Sequence, residues 1–487
     1  MQRAAHEKHL SRVILEHRVR LLNDAPLRST GAQYVLYWAQ MNRRVESNHA
    51  LYYAVEKANE LGLPVLVYEG LTCTYPHAND RIHTFVVAGV PETQQALDSL
   101  GIGYYFYLRQ RPSDPNDVLY QLATHAALLV TDDYPTFIAS WHNSSVPAKL
   151  GLAYHAVDSS CIIPMNRYNK REWAAYSIRP KVKRMLPDHL EAVPPLRPQH
   201  RYAAPRPQWH TEVTPANVAT LVAACAIDHS IPPSIAFPGG RAAAERALQR
   251  FLIDRLSRYA RDKNSPSNHV TSELSPYLHF GIISSLEIAL AVEGYAAQHK
   301  LIAVEFLEEL IVRRELAFNF TRFTPNYDQL ECLPDWAQKT LAKHAPDHRE
   351  YVYTKEQFLN AQTHDPLWNA CQQEMLLRGK IHGYYRMYWG KKIIEWSASH
   401  ADALRTMIKI HDIYALDGRD PNTYTGVLWC FGLHDRPWQE RSIFGMVRFM
   451  GFDGMKRKTD VDSYLRDITQ MQRTGLDAAP GASQLCF

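Results

Sequence analysis

Two stretches of this chain carry side chains whose types and spacing suit chemistry as much as packing. The first, KIHGYYRMYWGKKIIEW at residues 380–396, reads as one helix with a stripe of His382, Arg386, Trp389, Ile393 and Trp396. An arginine and a histidine therefore share the face that two indoles would bury, although aromatic stripes are usually plain core. The second, TSELSPYLHFGIIS at residues 271–284, gathers Thr271, Ser272 and Ser275 and free backbone amides around a helix start. That is a seat for phosphate oxygens, or else an ordinary helix cap. Basic residues concentrate at 170–184 and in MKRK at 455–458, the latter beside the aromatics of MVRFMGFDG. The mixture suits a polyanion better than a membrane, because no uninterrupted apolar helix face accompanies the charges.

These residues need elements to hold them. From QYVLYW at 33–38 the chain alternates short apolar runs (PVLVYE, GYYFYL, ALLVTDD, AYHAVDSS) with helical patterns from about Ser47 and over RIHTFVVAGVPETQQALDSL. This is the cadence of a doubly wound parallel sheet. The turn after the first of these runs, AQMNRR, contains no glycine, and GIGYYF precedes a strand, so the dinucleotide phosphate fingerprint is missing. Residues 186–240 are rich in proline and read as a long connector; from Gly240 onward the pattern is almost entirely helical.

The 487 residues suffice for two or three domains, with a mild net charge of +4. Seven scattered cysteines without C-x-x-C pairs or zinc-ligand spacing read as reduced thiols, and no metal site is expected. The charged N-terminus lacks the apolar core of a signal peptide, so the expectation is a soluble intracellular protein, cytoplasmic or nuclear.

TSELSPYLHFGIIS resembles the flavin-pyrophosphate motif of the photolyase and cryptochrome family. The likeness continues through FLEELIVRREL, YTKEQFLNAQTHDPLWNACQQEM, GKIHGYYRMYWGKKIIEW, LDGRDPN, GLHDRPW and MVRFMGFDGMKRKTDVDSY, over roughly residues 30–467. Together these strings are similar to class II cyclobutane pyrimidine dimer photolyases. The resemblance implies an N-terminal extension (1–30), an α/β antenna domain (31–160), a linker (161–240), an all-helical FAD-binding catalytic domain (241–470) and a loose tail (471–487). It implies light-driven repair of UV-damaged DNA by a monomer, in which excited reduced FAD sends an electron to a flipped-out dimer. It leaves the antenna chromophore open as a deazaflavin, a folate or none. Cryptochrome-type signalling and repair of the (6-4) lesion are the alternatives on the same fold.

By this resemblance, Tyr259, Thr271, Ser272, Glu273, Leu274, Ser275, Arg386, Asp417, His411 and Asn422 bind the cofactor, with Arg386 and Asp417 paired beside the flavin ring. Glu309 is the acid that touches the dimer, which burial would keep protonated or hydrogen-bonded, while Glu308 is solvated. Trp389, Trp368 and Trp396 pass electrons inward, with Trp396 a branch. Lys263, Arg313, Met387, Trp429, Trp438, Arg441 and Arg448 meet the lesion or the DNA, with Lys456, Arg457 and Lys458 as further phosphate contacts. The chain departs from the family pattern at His411, where an asparagine near the flavin is usual and where a histidine would bring titration near neutrality. Lys263 similarly replaces the usual arginine, keeping charge and losing the fork.

Overall fold

The computed structural model describes residue 15 and residues 17–478. Most of the charged N-terminal segment, Cys486 and residues 479–487 of the expected tail lie outside the described residues. One sheet of six strands forms the N-terminal domain: β1 (Val19–Leu21), β2 (Tyr34–Trp38), β3 (Val65–Thr72), β4 (Gly103–Arg109), β5 (Ala126–Asp132) and β6 (Tyr154–Val157). Their spatial order is β1-β6-β5-β2-β3-β4, parallel throughout except for β1 against β6. β2 and β5 are buried along their whole length, which is why their runs are continuously apolar instead of alternating. β1 places part of the expected extension inside the sheet; three residues are too short for alternation to reveal.

Between β2 and β3 runs α1 (His49–Leu61), capped by the Asn48 carboxamide and ended by left-handed Gly62. The next helical pattern divides into α2 (Asp80–Val87) and α3 (Val90–Leu100), because Gly89 and Pro91 interrupt the ladder between them. The strand order reverses between β2 and β5, where α/β proteins bind ligands beyond the carboxyl ends of the strands. Here the Asp132 carboxylate fills that place. One oxygen accepts the backbone N–H groups of Gln40, Met41 and Asn42, and the other accepts the Tyr37 hydroxyl and the Asn42 amide. An internal anion occupies the amides that a dinucleotide phosphate would need.

The proline-rich connector covers the open edge of the sheet. Thr211 donates its N–H to Phe106 of β4, and the N–H groups of Phe106 and Leu108 reach the His210 ring and the Thr211 hydroxyl. Trp209 stands edge-on to Tyr68, Tyr105 and Tyr107. The helical domain contributes α4 (Leu256–Asp262), α5 (Ser275–His279), α6 (Arg314–Arg322), α7 (Pro366–Arg378), α8 (Gly383–Trp396), α9 (His400–Tyr414), α10 (Pro421–Trp429) and α11 (Phe452–Lys458). A π-helical turn, Glu308–Arg313, feeds α6. The domains are fastened by Arg81 of α2, whose buried guanidinium donates to the carbonyls of Pro232, Met375, Leu376 and Tyr414.

Replacing Asp132 by Ala strands the buried donors it serves and is expected to lower the free energy of unfolding by about 3 kcal/mol, measured by denaturant titration.

Candidate functional site

α8 begins at Gly383, not at the start of the opening stretch. His382 lies outside it as the N-cap, its ring accepting the Tyr384 N–H at 3.2 Å. Arg386, one turn in, meets Asp417 from the loop before α10, and a single guanidinium nitrogen, Nη2, reaches both carboxylate oxygens at 2.9 and 3.1 Å. Ser275 at the start of α5 donates to the same carboxylate at 2.7 Å. Burial opposes ionisation of Asp417, but Arg386, Lys380 and the Ser275 hydroxyl outweigh it and hold the carboxyl below its ordinary range.

These groups line one cleft of the helical domain. Its walls include Tyr259, Ser272, Leu274, Ser275, Arg386, Asp417 and Asn422, with Glu309 also on the lining. Two buried donors on its lining residues, Nε of Arg386 and Nε of Arg314, have no hydrogen-bond partner among the described residues. Such donors beside hydroxyls fit an anionic or carbonyl-bearing ligand, since an unmet buried donor is costly. Thr271, Glu273 and His411 do not line this cleft. Glu273 adopts a left-handed backbone (φ 61°), and its carboxylate is taken by Arg378 at 2.9 Å, Lys380 at 3.4 Å and the Thr271 hydroxyl at 2.7 Å. It anchors the motif instead of facing the cleft.

Glu309 differs from the expectation of burial. It sits on the π-helical turn with its side chain 47% exposed and pairs with Lys263 at 3.1 Å. Lys263 therefore belongs to the cleft rim, its ammonium 5.9 Å from the Tyr259 ring centre. Glu308 is not a freely solvated residue: Arg179 grips it through two nitrogens at 3.0 and 2.7 Å, and Arg313 approaches at 3.6 Å. The π-helical turn also explains why Arg314 escaped the sequence reading in favour of Arg313. Its wider winding carries Arg314 onto the cleft lining with Glu309, five residues earlier, a spacing that α-helical periodicity does not flag.

The three tryptophans form a contact chain. Trp389 and Trp368 lie nearly parallel with centroids 6.3 Å apart, and Trp368 meets Trp396 at 6.2 Å. All three are buried. His411 stands edge-on to Trp389 at 5.1 Å, and its Nδ1 lies 2.8 Å from the Met407 carbonyl, so Nδ1–H donates and Nε2 is left without a partner among the described residues. Burial, reinforced by Arg386, pushes the imidazole down to about 4, so the expected titration near neutrality does not occur.

A second surface joins cations to aromatics. Arg448 lies over Trp429 (5.7 Å) and Trp438 (4.7 Å), with buried Lys391 against Trp429 at 4.9 Å. Arg441 covers Phe449 at 5.1 Å, while Lys456, Arg457 and Lys458 are exposed on α11. Met387 is half-buried on α8.

A wound sheet joined by a connector to a helical domain is the architecture of photolyases and cryptochromes. The class III photolyase of Agrobacterium tumefaciens is similar with a TM-score of 0.68 and 17% identity, covering 93% of this chain and 89% of that one. A Synechocystis cryptochrome is similar with a TM-score of 0.65 and 16% identity, covering 91% of this chain and 94% of that one. The DNA photolyase family profile matches residues 35–199. A deoxyribodipyrimidine photo-lyase of Methanothermobacter thermautotrophicus is 40% identical over 463 residues, covering 94% of this chain and 99% of that protein. One from Arabidopsis thaliana is 37% identical, covering 90% of this chain and 89% of that protein. The chain belongs to the DNA photolyase family.

His411 supplies a pH test. Its folded value lies below the ordinary imidazole value, so the unfolded chain takes up the proton first and stability falls as pH drops from about 6.5 towards 4. His411→Asn should lose about 2 kcal/mol less than the wild type between roughly pH 7 and pH 5, read from denaturant midpoints at each pH.

Proposed function

We propose that this chain is a deoxyribodipyrimidine photo-lyase of the class II branch, which uses light to split cyclobutane pyrimidine dimers in DNA. The single observation that carries the reading is the cleft in which the Arg386–Asp417 pair, the serines of the α5 start and Glu309 converge. FAD, the cofactor of the family, would be held there and would supply the photochemical electron transfer.

Each residue then has a defined task. Arg386 places positive charge against the flavin ring, and Asp417 fixes the guanidinium so that Nε stays directed to the ligand. Ser272 and Ser275 offer hydroxyls to the cofactor's polar groups. Glu309, next to Lys263, donates or accepts a hydrogen bond at a base of the dimer. Trp429, Trp438 and Arg448 receive bases taken out of the stack, and the exposed cations of α11 meet phosphates. Trp389, Trp368 and Trp396 carry electrons inward when the bound flavin is photoreduced. The crevice beside the turn that Asp132 fills, lined by Trp38, Leu71, Tyr75, Phe280 and Arg43 among others, would hold an antenna chromophore where one is bound, a deazaflavin or a folate. The cryptochrome reading is less favoured because the photo-lyase relatives share far more identity across nearly the whole chain.

Oligonucleotides carrying a cyclobutane dimer or a (6-4) lesion, irradiated with blue light and reduced protein, distinguish these activities. Restoration of the cyclobutane dimer alone is expected; its failure contradicts the proposal. Trp389→Phe should abolish photoreduction and spare repair by chemically reduced protein.

A further inference from the structure

The cleft of the helical domain and the crevice of the sheet domain share a wall. At its centre is the buried carboxylate of Asp420, the N-cap of α10, which also lies on the cleft lining. Oδ1 accepts the backbone N–H and the side-chain amide of Asn422, both at 2.8 Å. Oδ2 accepts the Tyr134 hydroxyl at 2.8 Å, with Nδ1 of His279 at 3.5 Å and Nη1 of Arg314 at 3.9 Å. Tyr134 follows β5 and lines the crevice, so a side chain of the sheet domain reaches a carboxylate that borders the cleft.

This network fixes which way Asn422 faces. Burial opposes ionisation of Asp420, but His279, Arg314 and the Asn422 backbone N–H outweigh it and hold the carboxyl below its ordinary range. An ionised carboxylate only accepts, so the Asn422 carboxamide turns its nitrogen towards Asp420. Asn422 is exposed on the cleft lining, and its side-chain oxygen is left to accept from whatever fills the cleft. Tyr134 holds the arrangement from the far side. Without its hydroxyl, Oδ2 keeps only the longer contacts to His279 and Arg314, and the carboxylate is free to turn towards them and release the Asn422 amide.

We propose that Tyr134 is a positioning residue for the flavin cleft, acting through Asp420 to hold the Asn422 carboxamide oxygen towards a hydrogen-bond donor of FAD. This role rests on the reading of the cleft as the FAD site. It makes the sheet domain a contributor to cofactor binding, although Tyr134 is not on the cleft lining. The neighbours of Tyr134 only fasten the domains together. Thr136 donates its hydroxyl to the Arg419 carbonyl and Phe137 donates its N–H to the Tyr327 hydroxyl, both at 2.9 Å, and neither bond ends on a side chain of the cleft lining.

The test measures the dissociation constant of FAD for the full chain in the dark, by flavin fluorescence, with melting temperatures taken alongside. Tyr134→Phe should weaken binding about fivefold, the lower end of typical couplings between sites. Asn422→Ala should weaken it at least as much, and the double variant should bind as Asn422→Ala alone does, because the relay has lost its end. Thr136→Val, which removes a neighbouring bond between the domains, should leave FAD affinity unchanged. A Tyr134→Phe protein that binds FAD as the wild type does, or whose loss persists in full beside Asn422→Ala, overturns the proposal. An equal loss in Thr136→Val also overturns it, since fastening alone would then explain the effect. Failure of the wild type to bind FAD contradicts the reading of the cleft itself, whereas wild-type binding with no response to Tyr134→Phe contradicts only the relay.

Discussion

The site depends on one part-buried ion pair used incompletely. Arg386 could clasp a carboxylate through two nitrogens, the geometry in which guanidinium pairs are strongest. It gives Asp417 only Nη2, at 2.9 and 3.1 Å, and Nε is left buried and unmet. A half-used fork is unfavourable in an empty protein and favourable once a ligand takes the remaining donor. Asp417 tolerates burial because Ser275 and Lys380 add to Arg386 in keeping it ionised. Removing Arg386 would leave Asp417 with only Lys380 and Ser275 to offset its burial, and removing Asp417 would leave the guanidinium without its carboxylate partner.

The pair also fixes the division of labour along α8. Arg386 looks into the cleft, whereas Trp389 and Trp396, one and nearly three turns further, pack away from it against Trp368. The cationic cleft group and the indole chain are thereby held on one rigid rod, separated by helical geometry and not by loops. His411 joins the two: neutral through burial, it lies beside Trp389 and within the field of Arg386.

Much of this was legible in the sequence, for identifiable reasons. The buried strands announced themselves as apolar runs; that the amides of the glycine-free AQMN turn serve the Asp132 carboxylate, far along the chain, was visible only in the structure. Motif strings brought most of the cleft residues together by number. What failed was local: His382 proved an N-cap, because a helix start one turn late leaves the periodic pattern unchanged. Glu273 faces Arg378 and Lys380 and not the cleft, on a left-handed backbone that carries no sequence signal in a non-glycine residue. Arg314 was hidden by a π-helical turn, and β1 by its length. His411 was misjudged because its type suggests titration while its burial forbids it.

The account turns on Arg386 presenting its charge to a flavin in this cleft. The most direct measurement is the pH titration of the absorption spectrum of chemically reduced, FAD-loaded protein, wild type against Arg386→Met. The wild type should hold the reduced flavin as its anion to well below the pH at which the free cofactor protonates, and Arg386→Met should lose that depression. Identical titrations of the two proteins would contradict the account.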